Sequence, residues 1–148
     1  MIISTRVNSC ACILLILLMS SSAQAATWFG LESPESINGI KVEVDLESLR
    51  SRGEKRDLTT RITYPQPQKK QDISFQSAIA ELEISCINDL DIWKSISLFS
   101  SDKAEGKALS FEHFGSTGLP RSVMKMLPDK AWATLQRSAC GKAATASP

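Results

Sequence analysis

Histidine is almost absent from this 148-residue chain, which has one, His113. That scarcity removes most histidine-dependent chemistry, because a Ser, His and acid triad has a single candidate base and a zinc site a single candidate imidazole. His113 lies in the alternating stretch "SFEHF", where a half-exposed strand residue is the simpler reading. No serine sits in a G-x-S-x-G elbow, and no glycine-rich loop is placed to cradle a phosphate. Asp89 and Asp91 in "NDLD" resemble a fragment of a calcium loop, but the glycine and other ligands of an EF-hand are missing, so a turn is expected there. Acidic residues are common enough to form carboxylate pairs by accident, and no glycosidase dyad is assigned without geometry. The expectation is a chain that is not an enzyme and needs no metal or cofactor.

Long apolar runs are equally scarce. The one present, Cys10 to Met19 ("CACILLILLM"), follows a short polar region with Arg6 and precedes "SSAQAA". It is shorter than the roughly 20 residues that span a bilayer. That order reads as a secretory signal peptide over residues 1–25, with Ala23-Gln24-Ala25 as the cleavage site. No later stretch suits a membrane helix, so a periplasmic or secreted protein is expected. A lipid anchor is the competing reading, but Cys10 and Cys12 precede or begin the apolar run, whereas a lipidated cysteine follows it.

Two of the four cysteines leave with that segment, and Cys86 and Cys140 remain. In an oxidising compartment two thiols are most simply one disulfide; two buried, unpaired thiols are the alternative. Charge of one sign is missing too. Arg6 is the one basic residue of the first 25, which leaves 16 basic against 16 acidic side chains. Nothing global draws the chain to nucleic acid or an anionic membrane.

What is there is alternation. "TWFGL" (27–31) is a short β-prone stretch, and "ESPESING" (32–39) supplies turn residues. In "IKVEVDL" (40–46), Ile40, Val42, Val44 and Leu46 alternate with Lys41, Glu43 and Asp45, so a strand buries the first set. "ESLRSRGEKR" (47–56) reads as a charged connection, with Gly53 free to take a positive φ. "DLTTRITY" (57–64) sets Leu58, Thr60, Ile62 and Tyr64 on one face, and "PQPQKKQD" (65–72) reads as a break because proline cannot donate to a ladder. "ISFQSAIAELEISC" (73–86) is read as a strand with Ala78, Ala80, Leu82, Ile84 and Cys86 on one face, although its Ala, Leu and Glu also suit a helix. "IWKSISLFSS" (92–101) and "ALSFEHF" (108–114) are further strands around a hairpin-like "DKAEGK", and "GSTGLP" breaks the chain again. "LPDKAWATLQRSACG" then predicts a helix starting at Pro128 or Asp129, with Trp132, Leu135 and Ala139 on one stripe and Gly141 past its end.

Consecutive strands followed by one helix give an α+β, mostly β fold: an antiparallel sheet of about five to six strands with one C-terminal helix packed on it. The expected layout is a single domain over 26–140 and a disordered tail over 141–148. A Cys86–Cys140 bridge would tie the helix end to the sheet.

Two features suit binding. Arg50, Arg52, Lys55 and Arg56 concentrate positive charge around Gly53 and form a candidate polyanion-binding loop, diluted by Glu47, Glu54 and Asp57; Lys69 and Lys70 do the same in the next break. Exposed strand edges could pair with a second copy and give a homodimer.

An early Trp28, the stretch "VEVDLESL" (42–49), a strand ending in Cys86 and a terminal helix closing on Cys140 together resemble the surface-adhesin protein E family of Gram-negative bacteria. The specific part is V-x-V-D-x-x-S-[IL], matched by Val42, Val44, Asp45, Ser48 and Leu49. The resemblance implies an exported, noncatalytic module, in a family named for outer-membrane adhesins that bind extracellular-matrix and serum proteins. Those adhesins are lipid-anchored, whereas no cysteine lies at the right place here. An envelope structural or assembly partner is the alternative function.

Overall fold

The structure, a computed structural model, describes residues 26–31 and 38–141. The expected signal peptide, residues 32–37 of the expected turn and residues 142–148 of the expected tail lie outside the described residues. Seven strands form one sheet: β1 (Trp28–Gly30), β2 (Lys41–Arg52), β3 (Lys55–Lys70), β4 (Ile73–Ser85), β5 (Ile92–Phe99), β6 (Ser110–His113) and β7 (Leu119–Pro120). β1 to β6 lie side by side in chain order, every pairing is antiparallel, and β7 pairs with the first residues of β5. The helix α1 (Asp129–Cys140) follows.

Alternation decides which side chains meet. Leu58, Thr60, Ile62 and Tyr64 of β3 are buried, opposite the buried Ala78, Ala80 and Leu82 of β4, on the face that α1 covers. The small Ala78 and Ala80 leave room there for larger neighbours. In β5 the register slips opposite Glu81 and Leu82, so that Trp93 and Ile96, an odd number of residues apart, both face inward. α1 contributes Ala131, Trp132 and Leu135 to this core. Trp132 meets Trp93 edge to face, with ring centroids 5.1 Å apart. Each such buried side chain contributes roughly 1.5–3 kcal/mol over an exposed one.

Pro128 stands before the first turn of α1, Asp129 places negative charge near its positive end, and Gly141 closes it in the left-handed conformation, donating its N–H to the Arg137 carbonyl. The helix end is then tied down twice. Cys86 and Cys140 form a disulfide, with Cα atoms 5.6 Å apart. Gln136 Nε2 donates to the carbonyls of Ser85 (2.7 Å) and Asn88 (3.1 Å).

Parts of three expected breaks are strand instead, one of them Leu119–Pro120 at the end of "GSTGLP", which is β7. Residues 47–52, read as connection, continue β2 up to a two-residue turn at Gly53 and Glu54. Residues 65–70, read as a proline break, continue β3. Their prolines cost little because β2 pairs with β3 only as far as Thr63, and the β3–β4 register shifts between Thr63 and Gln68. Leu46, expected inside, is 50% exposed. A wide bulge between Asp45 and Arg50 ends the alternation there.

That bulge explains the stretch shared with the adhesin pattern. Asp45 Oδ1 accepts the backbone N–H groups of Glu47 (3.1 Å) and Thr27 (3.2 Å). Ser48 Oγ donates to the Asp45 carbonyl (2.6 Å) and accepts the Thr59 N–H (2.7 Å). Asp and Ser therefore satisfy backbone groups that the interrupted ladder frees, while Val42 and Val44 enter the core.

Candidate functional site

The sheet face opposite α1 is polar, and its charges are built around two buried glutamates. On β2, Glu43 is 7% exposed although it was expected on the wet side. Lys41 Nζ lies 2.8 Å and Arg61 Nε 2.7 Å from its carboxylate, and the Trp28 ring lies over the Arg61 guanidinium at 4.6 Å. Arg61 Nη1 also donates to the Lys103 carbonyl. Burial alone would push the Glu43 carboxyl up, but the hydrogen bonds and charges of Arg61 and Lys41 hold it below its ordinary range.

Glu83 on β4 is the second centre, and it gathers three cations: Lys55 (2.6 Å), Arg52 (3.0 Å) and Lys94 (3.4 Å). Here too burial acts upward, and Lys55 and Lys94 bring the carboxyl down. Arg52 also forks onto Asp57 through Nε and Nη2, which raises its own pKa. Beside this cluster a groove of about 620 Å³ runs across the sheet, lined by Ser48, Arg52, Asp57, Glu81, Lys94 and His113 among others. Ser95 Oγ donates to Glu81 (2.8 Å), and His113 Nδ1 accepts the Gly115 N–H (3.1 Å).

The four cations of the candidate loop are thereby divided. Arg52 and Lys55 stand opposite each other across the β2–β3 turn and share Glu83. Arg50 turns back to the carbonyls of Glu47 and Leu49, and Arg56 to those of Gly53 and Lys55. By alternation Arg56 points to the helix side, with Leu58 and Ile84. Lys70 is paired with Glu112 on β6, away from the loop, and Lys69 is exposed.

The "NDLD" stretch is a structural knot. Asp91, 1% exposed, accepts the Ser85 N–H (2.9 Å) and pairs with Arg121 (2.9 Å), whose guanidinium lies 6.0 Å from the Trp132 ring centroid. Burial raises its pKa despite these partners. Asp89 is the outer partner of Arg121, at 3.8 Å. Among the described residues no group of three or more His, Cys, Asp or Glu could hold a metal ion, and no helix is long and apolar enough to cross a membrane.

Sequence reasoning missed Glu43, Glu83, Arg61, Lys94 and the Asp91–Arg121 pair. The one available signal was opposite charge at facing strand positions, and it needs the register to be used.

Comparison with curated proteins and with solved structures gave no match. A family model described as surface-adhesin protein E does match, over residues 28–141, from the tryptophan on Arg61 to the glycine that closes α1. The family points to an adhesin-like binding role without enzymatic chemistry. A match over most of the chain, on a sheet, helix and disulfide that agree with the expected pattern, shows that this chain belongs to the surface-adhesin protein E family.

Proposed function

We propose that the protein is a noncatalytic, exported binding module that engages extracellular-matrix or other protein ligands through the polar face of its sheet. One observation carries the reading: α1 covers only one face, and on the other face charged side chains are held in place by buried Glu43 and Glu83. Side chains fixed before binding lose less entropy when a partner arrives. Arg52 and Lys55, more than half exposed at one end, offer charge for steering. They are also the part of the candidate polyanion loop that shares this face. Export rests on the signal peptide read over residues 1–25, and periplasmic against surface placement is settled by fractionating the native cell.

Purified protein lacking residues 1–25 is expected to bind immobilised laminin or vitronectin saturably, and Arg52→Glu with Lys55→Glu should weaken that binding. Absence of saturable binding to matrix and serum proteins would reject the proposal.

The second reading, an envelope assembly partner able to form a homodimer, is favoured by the β1 edge. Phe29 is 56% exposed there, beside a small apolar notch lined by Leu46, Leu49, Leu135 and Ala139. Light scattering together with crosslinking in cells separates the two readings, since a strict monomer without an envelope partner leaves this one empty.

A further inference from the structure

We infer that the groove on the polar face takes a neutral oligosaccharide. The inference names a ligand class for the face used in the proposed function and rests on that reading only for the choice of surface.

Charge complementarity decides the class. The cations that meet in and beneath the groove are Arg52, Lys55 and Lys94, and the anions are Glu83, Asp57 and Glu81. Three against three leaves no excess for a polyanion, and a groove so charged offers an apolar ligand nothing but desolvation cost. Hydroxyl groups are different, because each donates and accepts at once.

The groove presents donors beside acceptors. Arg52 uses Nε and Nη2 on Asp57 and Glu83, which leaves Nη1 directed to no acceptor among the described residues. Glu81 receives Ser95 on Oε2 and keeps Oε1. His113 accepts at Nδ1, so in its neutral form Nε2 carries the proton and donates. Lys94 contacts Glu83 and the Ser116 carbonyl and retains a further N–H. Buried Glu83 holds Arg52 and Lys94 from below, so these donors are oriented in advance.

An aromatic ring stands outside the groove's lining, on the same face of the sheet. Phe111, on β6, lies two residues from His113 and therefore on the same face, about 7 Å along the strand. Its partner across the ladder is the small Ser97, and its side chain is 65% exposed. A ring left in water beside a polar groove costs the folded protein burial that it could otherwise have had, and it suits the apolar C–H face of a pyranose. The volume of about 620 Å³ is that of a small-ligand cleft.

The test is isothermal titration of protein lacking residues 1–25 with maltohexaose, cellohexaose and N-acetylchitohexaose, with a heparin hexasaccharide as the charged comparison. The inference expects saturable binding of at least one neutral probe, persisting at high salt. Phe111→Ala, through lost apolar contact, and Glu81→Gln, through a weakened hydrogen bond to a charged group, should each weaken it roughly tenfold, with unchanged circular dichroism and melting. Both side chains are exposed, so neither substitution is expected to unfold the sheet. No binding of any neutral probe, binding indifferent to both substitutions, or binding of heparin alone would overturn it. Retained binding to enzymatically deglycosylated laminin alongside any of those results would leave the proposed function standing and remove this inference alone.

Discussion

The helix-side face and the polar face come from the same strands, residue by alternate residue, yet they are held by different forces. On the helix side Leu58, Ile62, Leu82, Trp93 and Trp132 exclude water, and a disulfide closes the assembly. On the other side no helix arrives among the described residues, and order comes from Glu43 and Glu83 drawing long cationic side chains inward. Apolar burial is strong and is not screened by salt as charges are, whereas ion pairs with one exposed partner contribute little to stability but set direction. The contrast places stability on the helix-side face, while recognition by the polar face is the proposed function, and substitutions should separate the two.

The largest effect is expected at Trp132. Its replacement by Ala removes the edge-to-face contact with Trp93 and empties the centre of the core, which should cost about 3–5 kcal/mol in denaturant unfolding. A loss below about 1 kcal/mol would mean that α1 is not what holds the helix-side face. Next comes the bridge. Replacing Cys86 and Cys140 together by Ala frees a loop with a sequence separation of 54, for which roughly 2–4 kcal/mol is expected. Calorimetry of the double variant should show a lower melting temperature, and the laminin binding of the folded protein should be unaltered.

The polar face should show itself through pH rather than through size of effect. Glu43 and Glu83 have pKa values lowered below the ordinary 4.5, so their contribution is complete above that value and is lost as pH falls through their folded pKa values. Asp91 acts in the opposite sense. Burial raises its pKa above the ordinary 3.8, so its contribution is complete below that value and is lost as pH rises through its folded pKa. The two glutamates therefore lose their contribution in acid, and Asp91 loses its own as pH rises. A Glu43→Gln, Glu83→Gln variant should lose about 1–2 kcal/mol near neutral pH and melt with a flatter acid limb. An equally steep limb would show that these carboxylates do not govern the response.

Much of the helix-side face was legible in the sequence, because one pattern reports one interface. Leu58, Thr60, Ile62 and Tyr64 alternate without interruption, and the sheet buries all four. The disulfide and the helix end at Gly141 were legible for the same kind of reason, since two thiols and a terminal glycine leave few options. The polar face was not. Glu43 sits at a position that alternation marks as wet, and only the register that sets it opposite Arg61 reveals why it is buried. Pro65 and Pro67 looked like a break because nothing in their own identity says that β2 has already ended beside them. Asp45 and Ser48 looked like a family signature and proved to be the residues that close a bulge.

The smallest effect belongs to Gly53, where the two faces meet at the β2–β3 turn. Its φ is +60°, and Glu54 is not in that region, which is the pattern of a type II′ turn. A Cβ there would touch nothing within 4 Å, so Gly53→Ala carries backbone strain alone, about 1–2 kcal/mol. That figure is the ceiling for the loss in global unfolding, because a turn flanked by exposed Arg52 and Lys55, with the core beginning at Leu58, can open rather than bear the strain. Binding is the sensitive measure, since the turn fixes the spacing of the two cations on Glu83. Hydrogen exchange should find faster opening confined to residues 50–57, and laminin affinity should fall more than the melting temperature suggests. A variant that opens the turn and keeps full affinity would detach Arg52 and Lys55 from recognition and leave the contact to the rest of the polar face.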